Sequence, residues 1–390
     1  MEKKSSKLLV IIALCGMMGS SVGICMNSLG VFYTTVAEYL GVGRGTFAMC
    51  STLTSVSCGI FQILISEIYS NTNFKKIYLS GVILAGLSLA GMSFSRSLWM
   101  FYVLAVLLGA ATSCFNTVTI TTILNHSVEG NIGSLLGFIM SFSGLVGAMM
   151  SPLITAIITK AGWQKGYLVL AMVMVLFNVP GLIAKLNYGE KKEKSTNKGG
   201  RLDDALPYVY CLILAVFTNV SVGMSQHLTG FSVTRGLSVA QGSLLVSAMM
   251  IGNISFKVIA GMLSDKLGSV KTAYIISTIA TIGTGLLLTQ HSQLLLSLGA
   301  FGLGSLYSIP SVLAAFYIRE FYGLEKYTSL YAIFNLVGTA CFALALSIVG
   351  YVYDFTGSYV PFLVAVLVMD ILLFVTVTLL NKKYQERGRQ

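Results

Sequence analysis

Residues 359–381 read YVPFLVAVLVMDILLFVTVTLLN, an apolar run whose one charged residue is Asp370. A helix of about 20 apolar residues is long enough to cross the hydrocarbon core of a bilayer. The run therefore predicts a transmembrane helix, because lipid requires every backbone polar group to be bonded within the protein. Eleven similar runs precede it, which we number as spans one to eleven, with 359–381 as span twelve. They lie near residues 8–37, 46–70, 77–95, 98–124, 133–159, 163–186, 207–233, 239–264, 272–290, 294–318 and 327–353.

The composition of the whole chain agrees with a membrane protein. Of its 390 residues, 55% are hydrophobic and 10% are charged, and the mean hydropathy is +0.82. Average soluble domains carry about 25% charged residues. This composition excludes a soluble enzyme, a disordered chain and a disulfide scaffold. It predicts an all-α membrane protein with twelve transmembrane helices.

The net charge of +11 is explained by topology rather than by a nucleic-acid partner. If both termini are cytoplasmic, the inner segments hold 19 of the 25 Lys and Arg residues and the outer segments hold five. This asymmetry follows the positive-inside rule. We therefore expect an integral protein of a bacterial plasma membrane with cytoplasmic termini, surrounded by lipid and without a nucleic-acid partner. The remaining cation, Lys257, lies inside the eighth span.

The chain divides into two related halves. Residues 187–206 are polar, charged and glycine-containing, as is typical of a flexible linker. They separate a predicted six-helix bundle at 1–186 from a second one at 207–390. The sequence LGVGRGTF at 40–47 is similar to LSVAQGSL at 237–244, in each case directly after the first span of its half. Two six-span repeats are the organisation of many secondary transporters, which bind substrate near the membrane midplane.

The segment GMLSDKLGSVK at 261–271 follows span eight. It resembles the Gly-x-Leu-x-Asp-Lys/Arg-x-Gly-x-x-Lys/Arg loop of the major facilitator superfamily. The resemblance implies that fold, with an acidic residue that pairs across a neighbouring helix end as a latch. The latch would consist of Gly261, Asp265, Lys266, Gly268 and Lys271. A solvated loop is the alternative interpretation.

A second segment points to a branch of that superfamily. Residues 350–359 read GYVYDFTGSY, which resembles the Gly-x-x-x-Asp-x-Thr-Gly-Ser-Tyr segment of monocarboxylate porters and oxalate/formate exchangers. Gly30-Val31-Phe32-Tyr33 and the segment 162–167 also resemble these families. The resemblance implies a secondary transporter of small organic anions.

Lys257 is the main candidate for binding such an anion. An ionisable side chain within a span costs on the order of 2.5–3.5 kcal/mol, so its presence indicates function. The alternative is that Lys257 extends to the cytoplasmic interface. Monocarboxylate porters carry an Asp-x-x-x-Arg pair on span eight, and Asn253 and Lys257 take these places here. Those porters also have a lysine in span one, where this chain has Asn27, so proton symport by the same route is in doubt.

The oxalate exchangers use a second cation on span eleven, but residues 330–335 contain none. One buried positive charge favours a monocarboxylate over a dicarboxylate. The superfamily's cavity-lining spans suggest further polar contacts, each with interhelical hydrogen bonding as the alternative. These candidates are Asn27, Tyr33, Asn116, Tyr331 and Asn335. Two other residues are candidates for proton coupling. The alternative for His227 is a structural hydrogen bond, and the alternative for Asp370 is a local pair or a helix-packing role.

The sequence thus predicts a monomeric secondary transporter that needs no cofactor and moves a small carboxylate by alternating access. Proton symport and anion exchange both stay open. An exporter of a drug-like amphiphile is the alternative within transport, and a membrane-embedded sensor or enzyme is the alternative outside it. The sequence has no HExxH or GxxxxGK[ST] motif, and its three histidines are widely separated. These features disfavour a metalloprotease or an ATP-driven pump.

Overall fold

The computed structural model describes residues 2–71, 74–127, 132–186, 205–289 and 291–387. Regular structure in these ranges consists of fifteen α-helices joined by short 3₁₀ and π segments. The helices are α1 Glu2–Met18, α2 Tyr33–Leu40, α3 Arg44–Asn71, α4 Phe74–Phe94, α5 Leu98–Thr112, α6 Thr117–Ser127, α7 Ile132–Ala161, α8 Trp163–Ile183, α9 Leu206–Val222, α10 Leu228–Thr234, α11 Val239–Leu267, α12 Ser269–Thr289, α13 Gln293–Leu303, α14 Ala314–Thr356 and α15 Val360–Arg387.

These helices form the predicted membrane spans. Within the described residues, eleven helical segments are long and apolar enough to cross a bilayer. The second predicted span corresponds to α3, which is 28 residues long and has five Ser and Thr residues between positions 51 and 57. The prediction of an all-α membrane protein with twelve transmembrane helices is confirmed.

The chain forms two compact units, Met1–Ser195 and Thr196–Gln390. Most of the predicted linker, 187–204, lies outside the described residues. Its boundaries stay a prediction. Each unit contains six spans.

The first and fourth spans of each unit depart from regular α-helix. In the N-terminal unit, span one contains a π segment at Gly19–Ile24 and span four a 3₁₀ segment at Ser113–Phe115. In the C-terminal unit, span seven contains a 3₁₀ segment at Gly223–His227 and span ten another at Gly304–Tyr307. Interrupted spans leave backbone groups and side chains free to bind ligands, and they mark the substrate sites of many transporters.

The connection between spans ten and eleven differs from its prediction. The sequence predicts a connection with Arg319 and Lys326 between the runs at 294–318 and 327–353. The structure instead assigns one continuous helix, α14, of 43 residues. The connecting residues 319–326 read REFYGLEK, which contains good helix formers and no proline.

Close backbone packing brings spans eight and ten together in the C-terminal unit. A Cβ atom on Gly252 of α11 would overlap the carbonyl oxygen of Phe301, and one on Gly304 would overlap that of Met249. Small residues of this kind are typical of helix contacts in membranes, because van der Waals packing stabilises them there. The contact places the 3₁₀ segment of span ten directly against α11.

Candidate functional site

Lys257 lies inside the membrane-spanning helix α11, ten residues before its C-terminal end at Leu267. At 1.5 Å per residue, its Cα is about 15 Å from that end. The side chain is half-buried, and its Nζ lies 5.9 Å from the centroid of the Tyr307 ring. This distance is within the usual range of a cation–π contact, about 6 Å. The ammonium therefore faces span ten, and no described residue forms an ion pair or hydrogen bond with it.

Asn253 lies one turn before Lys257 on the same face of α11. Its side chain is 4% exposed, and its Oδ1 atom has no hydrogen-bond partner among the described residues. The backbone of the 3₁₀ segment Gly304–Tyr307 lies close by, since a Cβ on Gly304 would be 3.0 Å from the backbone nitrogen of Asn253. The predicted pair on span eight is thus held against the interruption of span ten.

Tyr331 reaches the same part of the C-terminal unit from span eleven. Its hydroxyl donates a 3.2 Å hydrogen bond to the carbonyl oxygen of Pro310, three residues after Tyr307. Asn335, one turn later on α14, is exposed. The structure therefore connects Lys257, Tyr307, Pro310 and Tyr331 through neighbouring contacts, whereas no described contact joins Asn335 to them.

Tyr307 is a residue that the sequence analysis missed. It ends the 3₁₀ segment Gly304–Tyr307, and a proline follows three residues later. The interruption of an apolar run by glycine and proline is the signal that could have identified it. The sequence alone does not show which way its ring points.

The three candidates in the N-terminal unit all form hydrogen bonds within that unit. The Asn27 side-chain amide donates to the carbonyl oxygen of Ser143 at 3.3 Å, and the Tyr33 hydroxyl donates to Ser51 Oγ at 2.5 Å. Asn116 accepts a 3.0 Å bond from the backbone nitrogen of Val118, and its side-chain amide donates to Cys58 Sγ of span two at 3.5 Å. Each candidate thus has a hydrogen bond to a different span, which is the alternative that the sequence left open. A role in substrate binding stays a prediction for all three.

His227 lies at the end of the 3₁₀ segment of span seven and is 2% exposed. Its Nε2 atom lies 2.7 Å from the carbonyl oxygen of Leu346, and its ring lies 5.9 Å from that of Tyr359. Because a carbonyl only accepts, Nε2 carries the hydrogen. The histidine thus has the structural hydrogen bond that was its alternative interpretation.

Asp370 is fully buried in α15 and has a partner that its sequence position did not reveal. Its Oδ2 atom accepts a 2.7 Å hydrogen bond from the hydroxyl of Thr284 on α12. Its Oδ1 atom has no partner among the described residues. The carboxyl group therefore joins spans nine and twelve of the C-terminal unit.

The segment proposed as a latch forms the turn between α11 and α12. Gly268 is the single residue between the two helices. Its φ of +84° and ψ of 156° form a conformation that favours glycine. Asp265 and Lys266 are exposed in the last turn of α11, and Lys271 is exposed in the first turn of α12. The turn is present, and the pairing of Asp265 across a helix end stays a prediction.

Two other features of the described residues do not provide a site for an anion or a metal ion. A groove on the N-terminal unit has an entirely apolar lining, which does not suit an anion; it comprises Met49, Leu53, Trp99, Tyr102, Val103, Val106 and Leu107. Across the part of the chain that the structure describes, no group of three or more His, Cys, Asp and Glu side chains is arranged to hold a metal ion.

The family model described as Major Facilitator Superfamily matches residues 9–228 and 208–390. The chain belongs to this superfamily. Its sequence is 24% identical over 259 residues to the uncharacterised MFS-type transporter YcxA of Bacillus subtilis, covering 62% of each chain. It is 22% identical over 304 residues to the MFS-type transporter pynF of Aspergillus niger, covering 73% of this chain and 66% of that one. The matches thus span less than two thirds of each relative.

The fold of this chain is similar to that of a solved transporter structure. A mutant of the nucleoside transporter NupG superposes with a TM-score of 0.76 at 12% identity, covering 96% of this chain and 99% of that one. At this identity, the likeness shows the fold alone. The superfamily membership confirms the resemblance carried by residues 261–271. The branch suggested by residues 350–359 is not among these findings.

Proposed function

We propose that the chain is a secondary transporter that moves a small organic anion, preferably a monocarboxylate, by alternating access. The observation that carries the proposal is Lys257. A lysine in a membrane span without an anionic partner is costly, and a substrate carboxylate can supply that partner. Superfamily membership supports transport rather than catalysis or sensing.

The charge of the site supports the substrate class. Lys257 has no second cation beside it in the predicted stretch 330–335, so one carboxylate balances the site and two would exceed it. A neutral amphiphile or a nucleoside would leave the ammonium unpaired. Within the C-terminal unit, Asn253, Tyr331 and Asn335 remain the candidates for contacts to the rest of the substrate. Asn27, Tyr33 and Asn116 remain separate candidates for substrate binding in the N-terminal unit.

Transport could be driven in two ways, by proton symport or by anion exchange. In proton symport, a side chain must take up and release a proton, and His227 and Asp370 are the candidates. Nε2 of His227 already donates its hydrogen to the carbonyl oxygen of Leu346, so protonation of this histidine would keep that bond. In anion exchange, neither residue needs to titrate. A pH gradient would stimulate uptake in the first case, and an opposing anion gradient would do so in the second.

The test is uptake of labelled formate, pyruvate, lactate, oxalate and an amino acid by proteoliposomes, with and without a pH gradient. We expect uptake of one or more monocarboxylates by the wild type and its loss in Lys257→Gln. The matched control is Lys160→Gln, which removes an exposed lysine at the end of α7 and should leave uptake unchanged. Uptake by Lys257→Gln equal to that of the wild type would contradict the proposal.

A further inference from the structure

Three buried polar atoms near Lys257 have no hydrogen-bond partner among the described residues. They are Tyr307 Oη in span ten, Ser225 Oγ in span seven and Asn253 Oδ1 in span eight. Ser225 is 1% exposed and Asn253 is 4% exposed. Buried polar atoms in native proteins are nearly always bonded, and leaving one without a partner costs about 1–3 kcal/mol. Three such atoms beside one unpaired ammonium indicate a site that a ligand completes.

Two of these side chains, Tyr307 and Asn253, lie next to Lys257, and the third, Ser225, lies next to Tyr307. The ammonium lies over the face of the Tyr307 ring at 5.9 Å. Ser225 lies beside the Tyr307 hydroxyl, without the geometry of a hydrogen bond. Asn253 is one turn from Lys257, and the absence of a side chain on Gly304 lets the segment that carries Tyr307 approach α11.

Tyr307 can serve Lys257 in two ways. Its ring face stabilises the ammonium by cation–π attraction while no anion is bound. Its hydroxyl is a neutral donor, so it can bind an anion without adding charge to the site. Lysine is a point charge that attracts a carboxylate but does not fix its orientation. A second donor at a fixed position supplies that orientation.

We propose that Tyr307 is a substrate-recognition residue: its hydroxyl, with that of Ser225 beside it, donates to the second oxygen of the carboxylate that pairs with Lys257. This inference rests on the proposed function, since it concerns the same substrate. It adds the interruptions of spans seven and ten to the predicted site on span eight. It also makes the site selective for a planar carboxylate over a single-point anion such as chloride.

The test compares two conservative substitutions with a matched control. Tyr307→Phe removes the hydroxyl and keeps the ring, and Ser225→Ala removes the neighbouring hydroxyl. Tyr317→Phe is the control, because Tyr317 is 1% exposed and its hydroxyl also has no described partner. Each variant is purified as the full chain, its melting temperature is measured, and the binding of formate, acetate, pyruvate and lactate is titrated calorimetrically.

We expect Tyr307→Phe to raise the Kd of the carboxylates that bind by about ten-fold or more, as the loss of a hydrogen bond to a charged group predicts. Ser225→Ala should raise Kd less, and Tyr317→Phe should leave it unchanged. Chloride binding should be unaffected by Tyr307→Phe.

The outcomes separate this inference from the proposed function. If Lys257→Gln abolishes carboxylate binding while Tyr307→Phe and Ser225→Ala bind like Tyr317→Phe, the inference is wrong and the proposed function stands. If the wild type binds none of the four carboxylates, both are wrong. Should Tyr307→Phe fail to fold, an unchanged Kd in a folded Ser225→Ala would overturn the inference, and a raised one would support it.

Discussion

Thr284 and Asp370 form a 2.7 Å hydrogen bond between spans nine and twelve of the C-terminal unit. Both side chains are fully buried, and the second oxygen of the carboxyl group has no described partner. An ionised carboxylate with a single hydrogen bond is expensive inside a membrane. The geometry therefore favours a neutral carboxyl group at this position.

Substitution of Asp370 tests this interpretation. Asp370→Asn keeps an acceptor for Thr284 and carries no charge, so we expect a melting temperature equal to or above that of the wild type. Asp370→Ala removes the acceptor and leaves a cavity, which should cost about 2 kcal/mol. The measurement is thermal unfolding of purified protein in detergent. Equal destabilisation by both substitutions would contradict the neutral carboxyl group.

Asp370→Asn also tests the role of this residue in coupling. An asparagine cannot take up a proton, so a response of uptake to the pH gradient that depends on Asp370 would disappear in the variant. The control is Thr284→Val, which removes the hydrogen bond and keeps the carboxyl group. A gradient response that persists unchanged in Asp370→Asn would leave the helix-packing role as the explanation for this residue.

The close approach of spans eight and ten predicts a sharp difference between two glycines. A Cβ on Gly304 would overlap the carbonyl oxygen of Met249, and backbone atoms cannot move aside easily. We expect Gly304→Ala to lower the free energy of unfolding by about 1–3 kcal/mol, as overpacking does. Gly285→Ala is the control, since nothing lies within 4 Å of its Cβ position. Similar melting temperatures for the two variants would contradict the packing described for α11.

The sequence predicts the spans well because lipid leaves the backbone few alternatives. An apolar run of about 20 residues has to form a helix in lipid, so the run at 359–381 and the eleven similar runs were sufficient to predict the fold. Lys257 was identifiable for the same reason, as a charge where lipid disfavours one. These predictions need only the position of each residue along one span.

The partners of these residues depend on contacts between spans, which a single sequence does not contain. Thr284 is one of many threonines, and only the packing of α12 against α15 shows that it meets Asp370. Tyr307 reaches Lys257 because Gly304 allows the close approach of two backbones. The continuous helix through residues 319–326 was missed because its charged residues also suit a connection between spans.

Arg235 lies directly after span seven, and its side chain contacts the end of span nine. Its Nη2 atom donates to the carbonyl oxygens of Leu287 at 3.1 Å and Leu288 at 2.8 Å, near the C-terminal end of α12. Desolvation lowers the pKa of Arg235 from its ordinary value, yet a guanidinium stays protonated in proteins. A cation at a helix C-terminus satisfies carbonyls that lack a partner and is favoured by the helix dipole.

We therefore expect Arg235→Gln to lower the free energy of unfolding by about 1 kcal/mol. Arg96→Gln serves as the control, because Arg96 is exposed in the connection between α4 and α5. The measurement is thermal unfolding at low and high salt. If Arg235→Gln changed stability no more than Arg96→Gln at either salt concentration, the contact with α12 would contribute nothing measurable.

Gly268 gives a prediction for the turn between spans eight and nine. Its φ of +84° and ψ of 156° lie in a region that is almost restricted to glycine. Gly268→Ala should therefore cost about 1–3 kcal/mol of stability or shift the start of α12. Gly261→Ala, at a helical position with nothing within 4 Å of its Cβ position, should be neutral or stabilising because alanine favours helix.

The same substitution tests the latch. If segment 261–271 acts as a latch in transport, Gly268→Ala also slows uptake at saturating substrate while Lys257 still binds the substrate. A variant with normal stability and normal uptake would show that the turn tolerates a side chain, and the requirement for glycine at this position would then be wrong.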